Sequence, residues 1–314
     1  MRAAVIDMGT NTFNLLIGEL YENSLRTLYS ERVFVKIGKG GISNGKLTEK
    51  AILRAKSALE KYSSTISRFN TKEVRVTATS AIRSASNASI LLSQVKNELG
   101  FEIAVINGKQ EAELIYKGVK TAIDLGKHPS LIADIGGGSV EFIIANKDKI
   151  FWRDSYEIGA QRLFDRFHNN DPITTNEQHH LQSYLESELE DLSQQIYKHQ
   201  PQMLIGCAGT FSTIKAIHCL QKGTLDLISK TDYPMEIPAY LAIHEELLSK
   251  NLKERKAIPG MLEERADMIV VASCIVSFLL ENYAFRGIKI TSAALKDGLL
   301  WETLNHTDDK LDFL

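Results

Sequence analysis

Residues 5–16 read VIDMGTNTFNLL and residues 132–143 read IADIGGGSVEFI. Aligned on their aspartates, Asp7 and Asp134, the two stretches lie 127 positions apart. At that offset Gly9 falls on Gly136, Thr12 on Ser139 and Asn14 on Glu141. In both, an apolar run ends in Asp–x–Gly and a second apolar run follows, which reads as a strand, a tight turn and a returning strand. Hairpin turns favour Asp and Gly in any protein. They do not require a hydroxyl and a further polar residue at matching places. The repeat therefore predicts two related α/β domains, each opening with an antiparallel hairpin.

Outward from these turns the same order of elements recurs. After the first hairpin come a third strand running into a glycine-rich loop (28–40), a helix over 47–69 and a strand leading into a loop (73–83). A helix over 87–100 closed by Gly100, a strand at 101–106 and a helix over 108–124 follow. The 47–69 helix has a Thr–x–Glu start and apolar residues at helical spacing, Ile52, Ala55, Leu59, Tyr62 and Ile66. The polar link LGKHPS (125–130) ends the first pass. The second pass has three strands within 130–158, helices at 159–167 and 175–199, a strand and turn at 202–209 and a helix at 210–220. A mainly helical remainder holds one strand, GIKITSA (287–293). The expected domains are 1–123 and 124–314, with the last helix, about 293–304, packing back on the first.

Composition narrows the class. The chain has 314 residues, 44% hydrophobic and 24% charged, with a net charge of −2. That is ordinary globular composition and no electrostatic footprint for a nucleic-acid polymer. Cys207, Cys219 and Cys274 are scattered and form no CxxC pair, which argues against structural zinc and against a disulfide framework. The N-terminus runs straight into a candidate strand and does not read as a signal peptide. The longest apolar run, MIVVASCIVSFLL at 268–280, is shorter than the roughly 20 residues a membrane span needs. The expectation is a cytoplasmic protein with no membrane partner.

The repeated pattern also has a chemical reading. A glycine turn between apolar strands exposes backbone N–H groups, and several pointing inward form an anion nest. Thr10, Thr12 and Ser139 add hydroxyls. An aspartate at the end of a buried strand needs a cation or hydrogen bonds. Beside a phosphate-binding turn the usual cation is Mg²⁺. Two such turns facing each other would clamp a polyanion from both sides.

These turns resemble the phosphate loops of the actin, sugar kinase and Hsp70 superfamily, which implies two ribonuclease H-like (actin-like ATPase) domains with a cleft between them. The finer resemblance is to the exopolyphosphatase/guanosine pentaphosphate phosphohydrolase (Ppx/GppA) family, in its short two-domain form. IDMGTNTFNLLI is similar to that family's D-x-G-S-N-S-F-H-L-L, and TATSAIRSASN to its A-T-S-A-x-R-x-A-x-N. INGKQEAELIYKGV is similar to S-G-x-E-E-A-x-L-x-x-x-G-V, ADIGGGSVEFII to D-I-G-G-G-S-T-E-L, and GCAGTFSTI to x-x-S-G-T. IPGMLEERADMIVVA and SAALKDGLLWE resemble its late helical motifs. The matches are in order and run from residue 3 to about residue 302.

The resemblance implies a Mg²⁺-dependent phosphohydrolase, with K⁺ a candidate stimulant. Its substrate would be polyphosphate or guanosine pentaphosphate, and its expected assembly a homodimer. Glu111 takes the place of the family's catalytic glutamate, with Glu141 assisting the attacking water. Asp7 and Asp134 take the metal. Thr10, Asn11, Thr12, Arg83, Gly136, Gly137, Gly138, Ser139, Gly209 and Thr210 take phosphate oxygens. Gln110 stands where the family has an acid, Glu113 where many relatives have arginine, Asn14 where many have histidine, and Ala208 where the usual residue is serine. Lys296–Asp297 replaces an Arg–Glu pair and predicts a structural ion pair. Two rivals remain at this level: a kinase of the same superfold, and a catalytically weak sensor of alarmone nucleotides or polyphosphate.

Overall fold

β1 (Arg2–Met8) and β2 (Phe13–Tyr21) form the first hairpin in a computed structural model that describes residues 1–22 and 24–305. They pair antiparallel, with Asp7 opposite Asn14 and Met8 opposite Phe13. β3 (Ser24–Val33) continues the meander. α1 (Glu49–Ile66) follows, its first turn capped by the Thr48 hydroxyl accepting from the Ala51 N–H. The five apolar residues picked out by their spacing are all buried, and the Tyr62 hydroxyl donates to the Phe13 carbonyl at 2.7 Å. β4 (Glu73–Ala78), the single-turn α2 (Ser80–Arg83), α3 (Ala88–Leu99) and β5 (Ile103–Val105) complete the pass. Gly100 ends α3 in the left-handed region at φ 70°. The sheet order is β3-β2-β1-β4-β5, with β4 parallel to β1 and β5 parallel to β4.

The second pass opens with α4 (Gly108–Lys120), then β6 (Ser130–Ile135), β7 (Val140–Ala145) and β8 (Ile150–Tyr156). α5 (Ala160–Phe167), α6 (Thr175–Glu188), α7 (Glu190–His199), β9 (Met203–Cys207) and α8 (Ala208–Lys222) come next. β10 (Tyr233–Met235), α9 (Ile237–Ser249), α10 (Leu252–Lys256), α11 (Ile269–Asn282) and β11 (Ile288–Ile290) close it. Its sheet runs β10-β11-β9-β6-β7-β8. Read from β8, the order β8-β7-β6-β9-β11 repeats that of the first sheet, strand for strand, with β10 added antiparallel at one edge. Both units are thus ribonuclease H-like. The second hairpin also repeats the first in register, with Asp134 opposite Glu141 and Ile135 opposite Val140.

α12 (Leu295–Asn305) returns to the first unit and packs on β1 and β2. There Glu302 pairs with Arg75 at 3.1 Å, and Leu300 lies where a side chain on Gly18 would stand, 2.7 Å from the Cβ position. The compact units are therefore residues 1–107 with the segment from Leu295, and residues 108–294. Each has its own apolar core. The division at 107/108 differs from the expected 123/124. Ala112, Ile115, Tyr116 and Val119 bury one face of α4, which lies on the second sheet. The Tyr116 hydroxyl donates to the Asn146 carbonyl at 3.0 Å, and Arg153 to the Lys109 carbonyl at 3.1 Å.

Two other departures have local causes. The helix expected over 175–199 breaks at Leu189, which lets Leu185, Leu189, Leu192 and Ile196 all reach the core. β10 has no signal in the sequence because it is three residues long with Pro234 at its centre, and proline is tolerated only at a sheet edge.

Glu177 is the hub of the α6 start. It accepts from the Asn169 and Asn170 N–H groups, the Asn170 amide, and the Thr174 N–H and hydroxyl. Burial pushes its carboxyl up, but the bonds from Thr174, Asn170 and Asn169 outweigh it and bring the value from the ordinary 4.5 down to about 2. The carboxylate's contribution is thus fully present above pH 4.5 and is lost as pH falls toward 2. Glu177→Gln is expected to cost about 2 kcal/mol at pH 7. In urea titrations the gap from wild type should narrow as pH is lowered to 3. A gap independent of pH would show that the charge contributes nothing.

Candidate active site

The chemistry gathers at the two hairpin tips. In the second unit the Gly136 N–H donates to the Ser139 carbonyl at 3.1 Å and closes the turn. The carbonyls of Gly136, Gly137 and Gly138 accept from the N–H groups of Ala160, Gln161 and Gly159 at 2.9, 2.8 and 3.2 Å. The first turn of α5, whose donors have no partner within the helix, thus holds three successive loop carbonyls. Because C=O and N–H project from opposite sides of a planar peptide, the loop N–H groups are turned away from α5. Those of Gly137 and Gly138 have no acceptor among the described residues. Such an array suits an anion.

Gly159 makes the close seating possible. A Cβ there would lie 2.4 Å from the Gly138 carbonyl carbon and 2.5 Å from that of Gly137. Arg162 adds a bond from its Nε to the Gly138 carbonyl at 2.9 Å.

The first unit reproduces the device with different surroundings. The Gly9 N–H donates to the Thr12 carbonyl at 3.1 Å. The carbonyls of Thr10 and Asn11 accept from Gly38 and Lys36 at 3.2 and 2.9 Å. Here the glycine-rich loop after β3 does what α5 does in the second unit. The Thr10 methyl lies against Gly38, 2.5 Å from where its Cβ would be.

The acids flank these turns. Asp7 and Asp134 are each 8% exposed at the ends of their central strands. Burial pushes the Asp7 carboxyl up to about 6. A hydrogen bond from Asn14 at 3.0 Å and the charge of Lys296 act the other way, and Asp297 reinforces the rise. Glu141 is 2% exposed and accepts from the Ser155 hydroxyl at 2.7 Å. Glu111 is 6% exposed in the first turn of α4, where the helix dipole favours a negative charge. Asp134, Gly136–Ser139, Glu141 and Glu111 thus belong to one unit; Asp7, Thr10, Asn11, Thr12 and Arg83 belong to the other.

Arg83, expected in a loop, ends the single-turn helix α2, and its guanidinium donates to the Ile106 carbonyl at 3.0 Å. Gly209 and Thr210 sit in the first turn of α8, which begins two residues earlier than expected, at Ala208. The Thr210 hydroxyl donates to the Ile135 carbonyl at 3.3 Å, tying α8 to the glycine turn. Ala208 is held at φ 59°, a strained left-handed conformation at the strand-to-helix junction. Lys296 and Asp297 pair at 2.5 Å where the chain re-enters the first unit.

Glu113, where the resemblance led one to expect an arginine, is paired with Arg153 on β8 at 2.9 Å and with Lys117 at 3.3 Å. Three residues had no assigned role at this site. Arg265 lies over the N-terminus of α8, where a Cβ on Gly209 would fall 1.8 Å from its guanidinium. Ser155 binds Glu141. Lys296 bears on Asp7 through charge. The motif LEERADM marked Arg265's neighbourhood without giving it a task, and Lys296 was expected only in an ion pair with Asp297; Ser155 becomes visible only from strand register.

Comparisons with known proteins bear on the family and the fold. The model of the Ppx/GppA phosphatase family matches residues 16–307. Exopolyphosphatase 2 of Mycobacterium tuberculosis is 28% identical over 313 residues, covering 95% of this chain and 97% of that protein. The crystal structure of an exopolyphosphatase from Cytophaga hutchinsonii is 40% identical, with a TM-score of 0.95 over 98% of this chain and 99% of that one. A Ppx/GppA family member from Aquifex aeolicus, 24% identical, shares the fold with a TM-score of 0.80, over 98% of this chain and 99% of that one. With a family match that spans both units and a relative this similar along its whole length, the chain belongs to the Ppx/GppA phosphatase family.

Proposed function

We propose that this chain is an exopolyphosphatase, releasing the terminal phosphate of inorganic polyphosphate by attack of water, and that the 5′-γ-phosphate of guanosine pentaphosphate is a second substrate of the same kind. The general class, hydrolysis of a phosphoric anhydride, follows from the family. The observation that carries the reading is the duplicated turn: twice, the carbonyls of the loop are bonded within the unit and buried acids stand beside it. In the second unit, two loop N–H groups are also left to a ligand.

Glu111 takes a proton from the attacking water as the water oxygen bonds to the terminal phosphorus. The bridging P–O bond breaks and the polyphosphate leaves one unit shorter. Glu141 orients the same water. The loop N–H groups and Arg83 hold the non-bridging oxygens. No nucleophilic Ser or Cys is needed.

The acids fit Mg²⁺. A strand-end carboxylate that burial pushes up to about 6, even with an amide donor beside it, gains from a cation. Among the described residues no three His, Cys, Asp or Glu side chains form a metal cage. An ion at either turn would take that turn's carboxylate, Asp7 or Asp134, and its other oxygens from substrate and water. When bound, the ion offsets charge on the transferring phosphoryl group.

The test is phosphate release with Mg²⁺ from short polyphosphate, long polyphosphate, guanosine pentaphosphate and ATP in parallel. Polyphosphate turnover is expected, and Glu111→Gln should lower kcat by about 10³-fold. Tight polyphosphate binding without release from any substrate would replace the hydrolase by a sensor. ADP production that needs an added acceptor would replace it by a kinase.

A further inference from the structure

Ser155 lies outside every recognised motif, yet it touches two parts of the site. On β8 it stands directly opposite Glu141 in the β7–β8 register. Its hydroxyl donates to one Glu141 carboxylate oxygen at 2.7 Å, and Glu141 is 2% exposed. On its other side it meets Gly108, the first residue of α4. A Cβ on Gly108 would fall 2.3 Å from the Ser155 Cβ and 2.7 Å from its hydroxyl oxygen. One turn further along α4 is Glu111. A small side chain with a hydroxyl is therefore wedged between the helix that carries one acid and the strand that carries the other.

We propose that Ser155 is the positioning residue for Glu141, and through Gly108 the seat of the helix that presents Glu111. The proposal rests on the reading of these two acids as the groups that handle water. The hydroxyl has one proton, and directing it to Glu141 fixes the rotation of a carboxylate that has three rotatable bonds. Beside the bonds that Arg153 and Tyr116 make, Ser155 adds to the seating of the helix by contact, because residue 108 has no side chain and residue 155 has a short one. Ser155 touches no substrate in this scheme and acts on rate through the acids.

The experiment is a double-mutant cycle on the full chain, with polyphosphate as substrate and Ser155→Ala, Glu141→Gln and the pair as variants. Ser155→Ala is expected to lower kcat about 10- to 100-fold with KM within about threefold, since misplacement of a catalytic group acts on the chemical step. In the Glu141→Gln background the same change should have no further effect beyond about twofold, because the group it positions is already disabled. Circular dichroism and the unfolding midpoint check that the variants fold. If Ser155→Ala leaves kcat at the wild-type value while Glu141→Gln is impaired, the positioning role is wrong and the site reading stands. Equal losses in both backgrounds would make Ser155 a structural residue and overturn the proposal. Wild-type turnover by Glu141→Gln would overturn the assignment of Glu141 and with it this inference.

Discussion

Gly159→Ala is expected to lower kcat/KM on polyphosphate by about a hundredfold or more while leaving the fold intact. The added methyl has no free direction. It would fall 2.4 Å from the Gly138 carbonyl carbon, 2.5 Å from the Gly138 nitrogen and 2.5 Å from the Gly137 carbonyl carbon, all of them backbone atoms. A real Cβ needs more than 3 Å, so the loop or the start of α5 must move by about an ångström. The three bonds from α5 to the loop carbonyls then cannot all survive, and those bonds are what turn the loop N–H groups outward. Gly209→Ala is the informative contrast. Its Cβ meets the end of the flexible Arg265 side chain, which has other rotamers, so the local backbone can stay in place. Steady-state kinetics on both variants, with circular dichroism as a fold check, decides the point. Gly159→Ala with activity within threefold of wild type would show that loop placement is not limiting.

Arg255→Ala is expected to be the most destabilising single change away from the site, at about 3 kcal/mol. The side chain is 1% exposed, which is rare for arginine. Its Nε donates to the Ala266 carbonyl at 2.8 Å, and one terminal nitrogen donates to Asp171 at 2.7 Å and to the Lys250 carbonyl at 2.5 Å. It thus joins the loop before α6, the link into α10 and the segment before α11. Truncation leaves two carbonyls without this donor and opens a void. Asp171, whose side chain is 36% exposed, can still be hydrated, which limits the loss. Thermal unfolding should shift down by roughly 6–12 °C. Arg255→Lys should recover only part of this, because an ammonium cannot reproduce the planar fork. An unchanged midpoint in Arg255→Ala would mean that water replaces all three bonds.

Much of this architecture could be read from local pattern. The hairpins were legible because strand period, turn residues and the 127-residue repeat are short-range facts, and both tips have the register that the repeat implies. α1 was legible for the same reason: a Thr cap and an apolar stripe act within a few turns of one helix. The acids beside the glycines were legible because an ionisable group at the end of an apolar strand is costly wherever that strand packs.

What the sequence by itself determined, then, is the content of each hairpin, the type of most elements and the residues with chemical potential. Tertiary structure decided which elements share a core and which side chains meet. α4, read with the first pass, buries its apolar face on the second sheet, whereas α12 packs on β1 and β2, in the unit expected for it. An amphipathic face specifies that it must be buried, not against what. Glu113 meets Arg153 and Glu141 meets Ser155 only because β8 lies beside β7 in one register, with a bulge after Ile144 that no count along the chain reveals. The physical reason is range: propensity and turn chemistry act over a few residues, whereas pairing and packing are settled by surfaces far apart in the chain.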